Sequence, residues 1–291
     1  MLIALSTAML LSPTVMSSFI APDAKVEKIP QQFIFTEGPV WVASKKHLLF
    51  TDIPANKIYS WDGKEAKVWR DGTKNSNGLT LDKSGNLYSC EHSGRALTRT
   101  KPDGTIESAA STHSDGKKFN SPNDVAIHPK TGLIVFTDPS YGLGNQPSDY
   151  GAKWVFSLET KSGKVEKVYV GKDQPNGVVF SPDGKHIYIA DSGAGILEKF
   201  DWKGKEVTTP LWSVAAPSAD GIRVDVDGNI WAACTDGVRI YAPDGALQQT
   251  FKFPESPANL CFAEDGKTLY VTARRGVYWV KTLVKGVMPG S

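Results

Sequence analysis

Six oxygen-bearing side chains stand at the same place in six similar stretches of the sequence. They are Glu37, Asn77, Asn123, Asn176, Asp220 and Asn259. Asn-Gly and Asp-Gly pairs are common in turns, so one such pair would indicate little. Six in register, two carboxylates and four amides without Cys or His, indicate a shared site. Hard oxygen donors of this kind suit Ca²⁺ or Mg²⁺, and a ring of flexible single-oxygen ligands favours Ca²⁺.

Each of these residues precedes an apolar run, and a second run ends 14 or 15 residues later. In the third stretch, for example, Asn123 leads to Val125 and Ile127, and the second run closes on Asp138. The stretches begin 39 to 53 residues apart, and turns rich in Gly, Asp and Pro separate them from further hairpin patterns. Repeats of this length with about four strands each predict an all-β, six-bladed β-propeller. Since the innermost strand of each blade lines the channel, the six residues should form a ring around the central axis.

The rest of the sequence predicts one domain, from residue 25 to residue 291. We expect the segment Val26–Ile29 to close the ring beside Gly276–Val280 in the sixth blade. The net charge of the 291 residues is only +2, and no basic run with interleaved aromatics occurs, which argues against nucleic acid as a partner. The three cysteines are an odd number, which argues against a disulfide framework and favours buried thiols.

Residues 1–24 differ in composition from the rest of the chain. The stretch from Met1 to Ile20 carries no charge and contains an apolar run that is too short for a membrane span. It resembles the apolar part of a secretory signal peptide, although the first basic residue is Lys25. We therefore predict a signal peptide or a disordered leader over residues 1–24, and no membrane span in the mature chain. The protein would be exported or periplasmic if the leader is cleaved, and cytoplasmic otherwise.

Several motifs together resemble the senescence marker protein-30/gluconolactonase family. The resemblance covers about residues 30–275 and rests on the order and spacing of Glu37-Gly38-Pro39-Val40-Trp41, Ser121-Pro122-Asn123-Asp124-Val125, Pro175-Asn176-Gly177 and Ala219-Asp220-Gly221-Ile222. The stretches Phe136–Gly142 and Cys90–Arg95 resemble the bacterial gluconolactonase branch. This resemblance implies a metal site on the propeller axis, with one divalent ion held by Glu37, Asn123, Asn176 and Asp220. Ca²⁺ is favoured, with Mg²⁺, Zn²⁺ and Mn²⁺ as alternatives.

The resemblance also implies hydrolysis of a sugar lactone, in which the metal polarises the carbonyl and water attacks it. Asp220 is our first choice for the general base and His92 the alternative, because the ordinary pKa of histidine suits neutral pH. We expect Asn77, Arg95, Asn123 and Tyr141 to contact the substrate, a small-molecule lactone, in a monomer or weak dimer. Asn259 is expected to be structural, Asp124 to orient Asn123, and Asp138 and Asp191 either to cap turns or to belong to the site.

Two other functions remain open from the sequence. A propeller can serve as a non-catalytic binding or scaffold module, although a scaffold has no need of carboxylates and amides on its axis. A metal-dependent propeller can also hydrolyse other lactones or organophosphate esters. A Ser-His-Asp mechanism is disfavoured because no nucleophile-elbow motif occurs.

Overall fold

The computed structural model describes residues 18–290 of the chain, and in this range it contains strands and no helix. The 24 strands of the described residues form six antiparallel sheets of four strands each. In five sheets the strands pair in chain order from the innermost strand outward, and in the sixth the first described strand is added at the outer edge. This is the arrangement of a six-bladed β-propeller. The predicted fold is confirmed.

The first strand, β1 (Glu27–Lys28), belongs to the last blade. Blade one contains β2 (Thr36–Val42), β3 (His47–Asp52), β4 (Lys57–Trp61) and β5 (Ala66–Asp71). Blade two contains β6 (Ser76–Leu81), β7 (Leu87–Glu91), β8 (Ala96–Thr100) and β9 (Ile106–Ala110). Blade three contains β10 (Val125–Ile127), β11 (Ile134–Asp138), β12 (Trp154–Glu159) and β13 (Lys164–Val170).

The remaining blades have the same order. Blade four contains β14 (Pro175–Phe180), β15 (His186–Asp191), β16 (Ile196–Asp201) and β17 (Trp212–Ala215). Blade five contains β18 (Ile222–Val224), β19 (Ile230–Cys234), β20 (Gly237–Tyr241) and β21 (Leu247–Phe251). Blade six contains β22 (Asn259–Ala263), β23 (Thr268–Ala273) and β24 (Gly276–Lys281), and β1 is its outermost strand.

The ring of blades is closed by the N-terminal strand. In the β1–β24 pair, Glu27 lies opposite Trp279 and Lys28 opposite Tyr278. The predicted closure is therefore confirmed, and it ties the two ends of the chain into one sheet. Hydrogen bonds between an N-terminal strand and the last strand of the sixth blade therefore hold the ring of blades closed.

The segment before β1 also packs on the propeller. Phe19 and Ile20 are buried, with 4% and 0% exposure, in a core cluster that includes Trp231 and Phe262. The Gln249 side chain accepts hydrogen bonds from the backbone N–H groups of Phe19 (2.9 Å) and Ile20 (3.2 Å). The predicted leader otherwise falls on residues 1–17, outside the described residues.

The core consists of apolar layers between neighbouring blades rather than one central cluster. The cluster between blades two and three, for example, joins Cys90 and Leu97 to Phe119, Phe136 and Phe156. Cys90, Cys234 and Cys261 are buried free thiols, as expected. Across residues 18–290 we find no helix of the length and apolarity that a membrane crossing requires.

Candidate active site

Five of the six ring residues line one cavity at a mouth of the channel. The cavity has a volume of about 490 Å³, and its walls include Glu37, Asn77, Asn123, Asn176 and Asp220. Four of these are at most 4% exposed, whereas Asp220 is only partly buried. The sixth, Asn259, lies outside the cavity wall, and its amide Nδ2 donates a hydrogen bond of 2.9 Å to Glu37 Oε2.

Irregular strand pairing places these residues at the axis. In blades one, two and four the register between the first two strands shifts next to the ring residue, between Glu37 and Val40, Ser76 and Leu79, and Pro175 and Val178. In blades three and five the regular inner strand begins two residues after Asn123 and Asp220. A bulge of this kind redirects a side chain that regular pairing would place on the sheet face.

Glycine follows four of the six ring residues, and close packing rather than a turn requires it. A Cβ atom on Gly78 would lie 2.5 Å from the carbonyl oxygen of Asn123 in the next blade. On Gly177 it would lie 2.2 Å from the carbonyl oxygen of Asp220. The Asn-Gly pairs that resemble turn signals in the sequence therefore mark contacts between inner strands.

The buried axis carries an excess of carboxyl groups. Burial, and secondarily the charge of Asp124, raises the pKa of Glu37 to about 7. Burial and the charges of Glu37 and Asp124 raise the pKa of Asp220 well above its usual range. The Arg223 guanidinium is the counter-charge among these groups, with its Nη1 at 3.3 Å from Asp124 Oδ2. If all three carboxyl groups were ionised, they and the guanidinium would have a net charge of −2, so burial favours protonated forms of Glu37 and Asp220. A divalent cation would balance this charge and favour the ionised forms.

The donor set fits a hard divalent cation. Asn176 Oδ1 is buried, and no hydrogen-bond donor reaches it in the structure. A buried amide oxygen without a donor is costly unless another positive partner satisfies it. The four predicted metal ligands in the cavity are two carboxylates and two amides. Within residues 18–290 we find no group of three or more His, Cys, Asp and Glu side chains that could hold a metal ion. Oxygen-only sites of this composition match Ca²⁺ better than a softer metal.

His92 lines the same cavity and contacts two ring amides. Its Nε2 atom lies 3.1 Å from Asn77 Nδ2 and 3.5 Å from Asn123 Nδ2. Burial lowers the pKa of His92 to about 4. The ring is therefore neutral at pH 7, and it is a weaker base than its ordinary pKa would make it.

The other two predicted substrate contacts lie in different places. Tyr141 lines the cavity, and burial raises the pKa of its hydroxyl group. Arg95 does not line the cavity. Its Nε donates to the carbonyl of Phe119 (2.5 Å), and its Nη2 pairs with Asp149 Oδ1 (3.0 Å), so it anchors the loop of blade three.

The acids at the ends of the second strands support backbone, as the capping interpretation predicts. Asp138 accepts hydrogen bonds from the N–H groups of Asn120 (2.7 Å) and Ser121 (2.8 Å). Asp191 does the same for Asp173 (2.9 Å) and Gln174 (2.7 Å). These bonds hold the segment that enters each inner strand and thereby fix the backbone in front of Asn123 and Asn176.

Most of the cavity wall is not among the residues predicted from the sequence, although the repeat contains a signal for it. Two register positions supply nine of the eighteen lining residues. One is the position directly after the second strand of a blade, which contributes Ile53, His92, Ser192, Thr235 and Arg274. The other lies two positions before the ring residue of a blade and contributes Phe35, Gln174, Ser218 and Pro257. Apart from the ring residues, the wall is apolar on blade one, carries hydroxyl groups on blades three to five, and carries the Arg274 guanidinium on blade six.

Fold and site together define a class of protein: a six-bladed β-propeller with a carboxylate and amide centre at one mouth of its channel. Residues 35–275 match the SMP-30/Gluconolactonase/LRE-like region, so the chain belongs to this family. The chain is 29% identical to the gluconolactonase of Zymomonas mobilis subsp. mobilis, across 90% of this chain and 82% of that protein. It is 28% identical to the pentonolactonase XacC of Haloferax volcanii, across 82% of this chain and 81% of that protein.

Solved structures show the same similarity. The gluconolactonase XC5397 from Xanthomonas campestris superposes with a TM-score of 0.85 and 26% identity, over 93% of each chain. A streptogramin B lyase superposes with a TM-score of 0.60 and 15% identity, over 89% of this chain and 98% of that chain, a likeness that shows the fold alone.

Proposed function

We propose that this protein hydrolyses a sugar lactone of the gluconolactone type with the help of one divalent cation. The observation that carries the proposal is the meeting of Glu37, Asn123, Asn176 and Asp220 in one cavity, each from a different blade. Lactonase relatives that cover most of the chain support this reaction class. A scaffold function would leave the buried carboxylates and the unpartnered Asn176 oxygen without a purpose.

The four residues would hold the cation, with Ca²⁺ favoured by their hard oxygen donors. When bound, the cation supplies Lewis-acid polarisation of the lactone carbonyl and stabilises charge on its oxygen. The cavity volume of about 490 Å³ suits a ligand of this size. Tyr141, Gln174 and Ser192 lie on one side of the cavity and offer hydrogen bonds to sugar hydroxyl groups.

Asp220 is the better candidate for the general base. It is the most accessible of the ring carboxylates, and its raised pKa makes it a stronger base than an ordinary carboxylate. A bound cation would keep it ionised, so that it could take a proton from water as the water oxygen attacks the carbonyl carbon. The same carboxyl group can return that proton to the ring oxygen when the acyl C–O bond breaks. His92 is less suited to this step, because burial lowers its pKa to about 4 and because its Nε2 faces two amides.

The decisive experiment is a pH-stat assay of glucono-1,5-lactone hydrolysis by the protein as purified, after chelation, and after adding Ca²⁺ back. We expect chelation to abolish the enzymatic rate and Ca²⁺ to restore it. Parallel additions of Mg²⁺, Mn²⁺ and Zn²⁺ rank the metals. Full activity after verified metal removal would refute the metal-dependent mechanism. Inactivity of the metal-loaded protein toward every sugar lactone would favour a binding module, and a matching assay with a phosphotriester tests the other hydrolase reaction.

A further inference from the structure

We propose that His92 is a positioning residue that turns the amide groups of Asn77 and Asn123 so that their carbonyl oxygens face the cavity. The proposal rests on the site described under the proposed function and adds a role for a residue that is neither a ligand nor the base. Its basis is geometric. One imidazole nitrogen lies within hydrogen-bond distance of both amide nitrogens, at 3.1 Å from Asn77 and 3.5 Å from Asn123.

The direction of these hydrogen bonds follows from the chemistry of the partners. With both amide nitrogens facing the ring, His92 Nε2 accepts and the ring proton lies on Nδ1, because an amide Nδ2 group can only donate. The two amides share the single lone pair of Nε2, and Asn77 is the closer donor. Once Nδ2 is committed to the ring, the Oδ1 atom of the same amide points away from it. Asn77 Oδ1 is buried and receives no hydrogen bond in the structure, as expected for an oxygen that is kept for a ligand.

The imidazole ring is itself held in place. His92 is 8% exposed, and its backbone N–H donates to the carbonyl of Asn75 at 3.2 Å. A Cβ atom on Gly142 would lie 2.5 Å from His92 Cβ and 2.8 Å from His92 Cγ, so the loop of blade three packs directly on the ring. Gly142 N in turn donates to Ser121 Oγ (3.0 Å), and Ser121 Oγ donates to the carbonyl of Pro139 (2.7 Å).

A hydrogen-bond acceptor beside the Asn77 and Asn123 amides has a clear purpose in this site. An asparagine amide can rotate by half a turn and exchange its oxygen for its nitrogen at little cost, and a nitrogen facing a cation would repel it. An acceptor behind the amide removes that second orientation before the ligand arrives. Groups that orient ligands in this way commonly contribute about 10–100-fold to metal affinity.

The test compares two substitutions of the full-length protein by calorimetric titration with Ca²⁺. His92→Gln keeps a side-chain oxygen that can accept from the amides, whereas His92→Leu fills similar space without an acceptor. We expect His92→Leu to weaken Ca²⁺ binding by about 10–100-fold and His92→Gln to restore most of the loss. Equal losses in both variants, at matched thermal stability of the metal-free proteins, would overturn the proposal, as would unchanged affinity in His92→Leu.

A second readout does not depend on metal or activity. In the metal-free wild type, long-range ¹H–¹⁵N spectra of the imidazole should show the proton on Nδ1. The side-chain amide signals of Asn77 and Asn123 should shift in His92→Leu and less in His92→Gln. A proton on Nε2 would overturn the proposal. If the wild type binds no divalent cation, the metal part of the proposed function fails, and these spectra alone decide the role of His92.

Discussion

Asp124 occupies the position after the ring residue that glycine holds in four of the other five blades. Its carboxylate lies beneath the site, paired with Arg223 across the channel, and its Oδ1 atom is buried without a donor. Breaking a buried ion pair by removing one partner is strongly destabilising. Asp124 therefore depends on Arg223 as its ion-pair partner. Together they place one carboxylate charge, which the guanidinium partly balances, below the proposed metal ligands. The expected role of Asp124 in orienting Asn123 stays a prediction, since its contacts in the structure are to Val178 N–H (3.4 Å) and Arg223.

The substitution Asp220→Asn tests whether Asp220 is the general base. The amide keeps an oxygen donor for the cation but cannot accept the proton of the attacking water. We expect kcat to fall about 10²–10⁴-fold with the fold intact, measured by pH-stat together with metal content. Asp103→Asn, which changes a carboxylate in an exposed turn, is the matched control and should keep full activity. Full turnover by a metal-loaded Asp220→Asn variant would show that another group is the base.

The inner strands of this molecule are positioned by close contacts with the next blade rather than by local turn chemistry. Bulges next to Glu37, Asn77 and Asn176 direct these side chains to the axis. The glycines directly after them, Gly38, Gly78 and Gly177, let the next inner strand approach so closely that no Cβ atom fits. Site geometry and blade packing are thus set by the same dipeptides.

Gly177→Ala tests this coupling between packing and site. The added Cβ would lie 2.2 Å from the carbonyl oxygen of Asp220 and 2.9 Å from the backbone nitrogen of Ile222. We expect a loss of about 3 kcal/mol in the free energy of unfolding, measured by urea denaturation, and weaker Ca²⁺ binding because Asp220 must move. Gly104→Ala is the control, since its φ of 89° is strained for alanine but its Cβ would meet nothing within 4 Å. A loss no larger than the roughly 1–2 kcal/mol expected for the control would contradict the close-packing argument.

For the whole molecule, closure of the ring depends on the N-terminal segment. β1 completes blade six, Ile29 is 1% exposed, and Ile20 is fully buried in the core cluster between blades five and six. If a leader is removed during export, cleavage before Phe19 leaves this packing complete. Mass spectrometry of the mature N-terminus measures the site, and an intact Met1 in an exported fraction would contradict cleavage.

Three isoleucines of this segment offer a matched set. Ile20→Ala and Ile29→Ala should each lower the free energy of unfolding by about 3 kcal/mol, because each removes a buried side chain. Ile34→Ala should change it by less than about 0.5 kcal/mol, since Ile34 is 58% exposed. Thermal denaturation of the three variants measures the difference. An Ile20→Ala protein as stable as Ile34→Ala would show that the segment before β1 is not part of the folded unit.

The sequence by itself determined the repeat, and with it the fold, the strand that closes the ring and the register of the six polar residues. It did so because every blade repeats the same alternation of apolar strands and turns, and because an oxygen-rich set in register is readable without coordinates. The capping acids were also open to prediction from their place at equivalent strand ends.

Only the tertiary structure decided which of these residues share a cavity and in what state. Arg95 and His92 are close in sequence and lie beside the same strand, yet Arg95 binds the loop of blade three and His92 faces the ring amides. The excess of negative charge on the axis depends on Asp124 and Arg223, which are 99 residues apart and meet only across the channel. Burial, distance and hydrogen-bond direction are properties of the closed ring, so no single repeat contains them.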